Sequence, residues 1–221
     1  MRARIIRAGL LALTLCTALL SPLAPRAVAQ TYRRDGVQTR RGGYDQAQGV
    51  RGDARLIAQA EYYSGDTFNF ETKTPRGVRV YAVNRPAPGA LSAIDSGLAE
   101  LFAVARRHGY SSHMSYTDYT VFIARPDRVR DSSGAYSPDI AIGAAQYAGS
   151  VYDQGGYVYA AGMVLSMDPC AFLIAEHQRD FQRISNVARY EGEHIVLYHN
   201  DRRLYAQTAD HSRGGGHPIL R

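Results

Sequence analysis

Leu91, Ile94, Leu98, Leu101, Phe102 and Ala105 recur at spacings of three and four, so they share one face of a helix. An apolar stripe of that width has to be covered, and the flanking sequence supplies strands to cover it. Val78-Arg79-Val80-Tyr81-Ala82-Val83 alternates as a half-buried strand does, and Asn84 to Gly89, with two prolines, ends it. On the other side His108 suits the negative end of the helix macrodipole and Gly109 supplies the stop. Thr117 to Ala124 is rich in β-branched and aromatic residues and ends at Arg125-Pro126, while Asp127 to Pro138 has the polar, Gly and Pro signature of a surface loop. Ile140 to Tyr147, Tyr157 to Leu165 and Ala171 to Ala175 read as further strands, separated by Asp153-Gln154-Gly155-Gly156 and Met167-Asp168-Pro169. The class these elements imply is α+β, with a mixed sheet of four or five strands and two principal helices.

The second principal helix is predicted from a cap at Ser185 or Asn186 to about Gln207. On a 3.6-residue period Val187, Tyr190, Glu191, His194, Leu197, Tyr198, Asp201, Leu204 and Tyr205 form one broad stripe. Carboxylates and an imidazole therefore share a face with the apolar residues. Such groups cost several kcal/mol to bury unless paired or metal-bound, so the stripe marks a functional site as readily as a core. Gly192 weakens the helix by about 1 kcal/mol, and a strand through Glu193 to Tyr198 is the competing reading.

Before the first strand the chain is polar. Arg2, Arg4 and Arg7 precede the apolar run Ala8 to Leu20 and the small-residue sequence Ala27-Val28-Ala29, the pattern of a secretory signal peptide cut after Ala29. Residues 30 to 55 are expected to form a flexible arm, and 56 to 221 a single secreted or periplasmic domain. No later run reaches the roughly 20 apolar residues of a membrane span. Removing residues 1–29 takes away Arg2, Arg4, Arg7 and Arg26 and no acids, so the formal charge falls from +6 to +2. With its arginines scattered among acids, the chain lacks the basic stripe of a nucleic-acid binder. Cys170 is the one cysteine left after processing, which excludes an internal disulfide. It is expected to be a buried, inert thiol.

Five of the seven histidines lie between His177 and the C-terminus, among acids and tyrosines. Tyr190-Glu191-Gly192-Glu193-His194 resembles the His-Glu-x-x-His helix of the zincin metallopeptidases, matching it at Glu191 and His194, with Tyr190 in place of the first histidine. Element order from Val78 to His211 resembles the catalytic half of the same clan. The resemblance implies zinc or another divalent metal held by His194, with Glu191 as general base or ligand. Since tyrosine is a poor zinc ligand at neutral pH, the set is completed by His211 from beyond the helix and by Asp201 as a ligand or as a group orienting an imidazole. Glu193 beside His194 also resembles the end of the inverted His-x-x-Glu-His motif.

Other residues are weaker candidates. His177 follows a strand end and is expected to be solvated. His199, about 140° around the helix from His194, is not expected to share an ion with it. The segment Gly214-Gly215-Gly216-His217-Pro218 reads either as a flexible tail or as one docked over the cleft, and Ile219-Leu220 favour docking because they would otherwise be exposed. No Gly-x-Ser-x-Gly elbow occurs. Two functions follow as expectations. One is a secreted metal-dependent hydrolase of peptides or similar polar substrates. The other is a non-catalytic extracellular domain in which Glu191, His194 and Asp201 belong to a hydrogen-bonded cluster.

Overall fold

In the computed structural model, which describes residues 48–127, 138–143, 157–177 and 179–220, the strands assemble into one five-stranded sheet and a separate two-stranded ribbon. In chain order the elements are helix α1 (Gln48–Ser64), strands β1 (Phe70–Lys73) and β2 (Arg79–Ala82), helix α2 (Pro88–Arg107), strands β3 (Tyr119–Ala124), β4 (Ile140–Gly143), β5 (Tyr157–Ala160), β6 (Gly162–Ser166) and β7 (Cys170–Ala175), then helices α3 (Phe181–Asn200) and α4 (Arg202–Thr208). The sheet order is β1-β2-β3-β7-β6, with β2, β3 and β7 parallel and an antiparallel strand on each edge. The fold is therefore α+β with a mixed sheet, as expected.

All six residues of β3 and all six of β7 are buried. Strands apolar on both faces need layers on both sides. Val121, Ile123, Phe172 and Ile174 face the core shared with α2 and α3, whereas Phe122, Ala124, Leu173 and Ala175 face a second core that includes Leu56 and Ala60 of α1. That second core corrects one expectation. The arm predicted over residues 30–55 is helical from Gln48, and α1 buries Leu56 and Ala60. The polar residues ahead of Leu56 hid the helix, which from Asp53 onward first buries a side chain at Leu56.

Two other boundaries move. The stretch Tyr157 to Leu165, read as one strand, divides at Ala161 into β5, which pairs with β4, and β6, which pairs with β7. Only Ile140 to Gly143 of the strand predicted to Tyr147 falls within the described residues, as does only the start and end of the loop Asp127 to Pro138. The helix predicted from Ser185 to Gln207 begins earlier and is two helices. Asp180 caps α3 by accepting from the Arg183 amide at 3.0 Å, and Asp201, with φ −144°, ends it and caps α4 by accepting from the Leu204 amide at 2.9 Å. An aspartate that bonds a backbone amide three residues ahead starts a new helix. The strand reading of Glu193 to Tyr198 is overturned, since that stretch is helical throughout.

Glycines set how α3 sits on α2. A Cβ at Gly97 would lie 2.2 Å from the Ser185 carbonyl oxygen, and one at Gly192 would lie 2.7 Å from Cδ2 of Leu101. Gly192 costs the helix propensity but lets the side chains of Leu98 and Leu101 reach its backbone. This contact fixes the rotation of α3, so Glu191 turns toward β6 while Tyr190, Glu193 and His194 turn toward the C-terminal tail. No helix among the described residues is long and apolar enough to cross a membrane.

Candidate metal centre

After α4 the chain folds back on itself. A 3-10 turn at His211–Arg213 leads into Gly214, whose φ of 82° is one that L side chains rarely adopt. The amides of Gly215 and Gly216 then donate to the carbonyls of Asp210 and Thr208 at 3.0 and 2.9 Å. A Cβ on Gly215 would stand 2.2 Å from the Thr208 carbonyl oxygen, so a side chain there would block the reversal. The glycine run is a tight turn that returns His217 to α3, and Ile219 is buried in the main core. Of the two readings of the tail, docking is the one observed.

Glu193 holds that docked segment. It is fully buried, accepts from the Ile219 amide at 2.8 Å through Oε1, and pairs with His217 Nδ1 at 2.7 Å through Oε2. Both carboxylate oxygens are thereby used, which is what makes burying a carboxylate tolerable. With Nδ1 engaged, His217 has Nε2 left. Tyr190 stacks on the same imidazole, ring centres 4.5 Å apart and planes 27° apart. The tyrosine in the position of the missing motif histidine thus positions a histidine from the tail.

His194, His211 and His217 form a nearly equilateral triangle of rings, with centres 5.1, 4.9 and 5.0 Å apart. An ion about 2.0–2.1 Å from one nitrogen of each ring, at tetrahedral angles, sets ring centres about 5 Å apart. One nitrogen from each ring lies within 4.8 Å of the other two. His194 Nδ1 and His211 Nε2 are buried and have no hydrogen-bond partner among the described residues. Two buried imidazole nitrogens without partners, facing a third ring oriented by a carboxylate, fit a metal ion. Burial first, then the imidazoles of His217 and His211, pushes His194 down to about 3. Burial and then His217 likewise lower His211, against the opposing pull of Glu193 and Asp210. Both are held neutral at physiological pH, the form that ligates.

Two of the four predicted ligands, His194 and His211, are brought together, and Glu191 and Asp201 are not in the group. Glu191 lies against β6, its Cγ 3.1 Å from where a Cβ on Gly162 would be, and its carboxyl bonds the backbone at Val164. Enclosure there pushes its pKa up to about 8. It faces the sheet because the helix rotation set at Gly97 and Gly192 directs position 191 there and position 193 to the tail. Asp201 spends Oδ1 on capping α4 and accepts from the Tyr110 hydroxyl at 3.3 Å through Oδ2. His177, expected to be solvated, is instead buried with Nε2 lacking a partner among the described residues, and burial, then Arg183, lowers its pKa.

No protein-family model, curated protein or solved structure matches the chain. Its chemistry has to be read from the geometry. Sequence reasoning passed over the anchoring role of Glu193 and placed His217 only as part of the tail. The available signal was Ile219-Leu220, which demanded a docked tail and with it a third histidine near the helix. A second group, His113, Cys170 and His199, also brings one ligand atom from each residue within 4.8 Å. His113, in the polar loop Ser111-Ser112-His113-Met114-Ser115, carried no local signal at all.

Proposed function

We propose that this chain is a secreted or periplasmic metal-dependent hydrolase of peptides or similar polar substrates, with His194, His211 and His217 holding a zinc-class divalent ion. The observation that carries the reading is the triangle of imidazoles with two buried nitrogens that have no partner among the described residues. Three protein ligands leave a fourth position open, the pattern of catalytic rather than structural zinc. An ion there would supply Lewis acidity toward a carbonyl or a water molecule. The protein's part is orientation. Glu193 fixes the ring of His217 and Tyr190 packs over it, while His211 and His217 are partly exposed as residues. The leader-like N-terminus supports the extracytoplasmic setting, and the zincin resemblance remains an analogy of element order.

The rival reading is a non-catalytic domain in which the same ion clasps the tail to α3, favoured by the burial of Glu193 and Ile219 on the tail side of the cluster. Metal content of protein purified without chelator or histidine tag, measured by mass spectrometry beside His194→Ala, tests the site. The variant is expected to hold about one ion per chain fewer than wild type. Metal-free, well-folded protein would overturn the site and the hydrolase with it. Hydrolysis of a peptide library that chelation abolishes and zinc restores then separates enzyme from clasp.

A further inference from the structure

The second group of ligating residues lies at the other end of α3's histidine pair and shares no residue with the first. Cys170 opens β7, His199 comes from the last turn of α3, and His113 comes from the loop after α2. Cys170 Sγ is 3.4 Å from His113 Nδ1 and 3.4 Å from the Met167 carbonyl oxygen. The two imidazoles stack with ring centres 3.7 Å apart, closer than the roughly 5 Å that two histidines on one tetrahedral ion require, so an ion would have to part the rings. His199 Nε2 meets the same Met167 carbonyl at 2.7 Å. A carbonyl only accepts, so Nε2 carries the proton and Nδ1 is left with a lone pair, the arrangement by which an outer carbonyl orients a ligating histidine.

The loop that presents His113 is built, not draped. Asn200, next to His199, accepts from the amides of Ser111 and Ser112 at 3.0 and 2.9 Å and donates to the Ser112 carbonyl at 2.9 Å. Tyr119, fully buried in β3, donates its hydroxyl to the His113 carbonyl at 2.8 Å. Held on both sides, His113 adopts φ 55°, the one non-glycine residue in the left-handed region among the described residues. Such backbone costs about 1–3 kcal/mol and persists where surrounding contacts over-determine it. The same histidine, alone of the three, lines an open cleft of about 560 Å³ with Arg106, Tyr110, Met114 and Asp118.

We infer that His113, Cys170 and His199 form a second metal site, selective for a thiophilic ion of the zinc class, with its remaining coordination position toward the cleft. Zinc–sulfur and zinc–nitrogen bonds of about 2.3 and 2.0–2.1 Å at a tetrahedral angle separate the two ligand atoms by about 3.6 Å, close to the 3.4 Å between Sγ and Nδ1. Thiolate beside two imidazoles selects ions such as zinc over oxygen-seeking ones. Burial, then Asp118 and Asp168, raises the thiol to about 12, so binding replaces the sulfur's proton by the ion and releases that proton to solvent. A catalytic cysteine is disfavoured by the same burial, since the nucleophile is the thiolate.

Cobalt(II), a spectroscopic stand-in for zinc, tests this independently of the three-histidine centre. Titrated into metal-free protein with its thiol kept reduced, cobalt should produce a near-ultraviolet sulfur-to-cobalt charge-transfer band. That band should survive His194→Ala and vanish in Cys170→Ser. Absence of the band in wild type, or its persistence in Cys170→Ser, overturns the proposal. Should Cys170→Ser misfold, His113→Asn replaces it, because asparagine tolerates the left-handed backbone. It should weaken cobalt at the sulfur site by more than the roughly 10–100-fold that loss of an outer-shell partner costs, and unchanged affinity would refute ligation by His113.

Discussion

The two histidine clusters are built from similar parts and differ in what they leave unsatisfied. Around His194, two imidazole nitrogens are buried with no partner among the described residues, and a fully buried carboxylate points the third ring at them. Around Cys170 the sulfur, His113 Nδ1, His199 Nε2 and the Met167 carbonyl already bond to one another. An ion at the first cluster relieves desolvated groups, whereas an ion at the second must displace a proton and existing hydrogen bonds. Proximity of ligands gives capacity, and unmet hydrogen bonding gives need. The three-histidine cluster has both, so it should bind zinc-class ions the more tightly.

The sharpest way to break this contrast is His194→Ala. It should remove the ion of the three-histidine centre, lowering affinity there by more than about a hundredfold, and leave the sulfur site intact. Wild-type protein at an ion concentration 100 times its dissociation constant should gain about 2.7 kcal/mol over the metal-free form. Denaturant unfolding with and without zinc reads that gain, and the variant should keep only the smaller part contributed by the sulfur site. Equal loss of both ions would mean that the substitution acts through the packing of α3 and not through one cluster.

Gly97→Ala should blur the contrast from outside. Its methyl meets a backbone oxygen that cannot swing aside, and overpacking of that kind costs about 1–3 kcal/mol. Because α3 carries a ligand of each cluster, cobalt affinities at both should fall together. Glu193→Ala should act on one cluster alone, stranding the buried Ile219 amide at a cost of about 1–3 kcal/mol and releasing the tail to proteolysis. Asn200→Ala is its counterpart at the other cluster. It unfastens the Ser111–Ser112 loop for about 0.5–1.5 kcal/mol and should weaken the sulfur site only.

The smallest effect is on the pH dependence of the metal-free protein. His194 falls from 6.5 unfolded to about 3 folded, so the unfolded chain binds the extra proton between those values and stability drops as pH falls through that window. Glu191 rises from 4.5 to about 8, so the folded chain binds the extra proton and stability drops as pH climbs from 4.5 to 8. The two oppose each other below 6.5, and Glu191 acts alone of the pair above it. Denaturant midpoints of Glu191→Gln should therefore lose the decline that wild type shows between pH 6.5 and 8.

How much of this could be read beforehand depended on the range of the interactions. The sheet strands and α2 were legible because alternation and three-four spacing are local. The helix carrying His194 was legible too, as was the need to dock Ile219. The choice between Glu191 and Glu193 was not, since adjacent positions on a helix differ by about 100° and only the packing at Gly97 and Gly192 selects between them. The sulfur cluster was least legible. Its three residues come from sequence positions 113, 170 and 199, and only the crossing of β7, α3 and the loop after α2 makes them neighbours.

Gly97 also makes a forecast about descent. The Ser185 carbonyl leaves no room for a side chain at that position whatever chemistry the histidines perform. Among diverged relatives of this chain, the histidines and Cys170 are free to vanish as function drifts, each cluster on its own schedule. Glycine at position 97 should outlast them all. A lineage that replaced it while keeping both clusters would have had to find another way to seat one helix against the other.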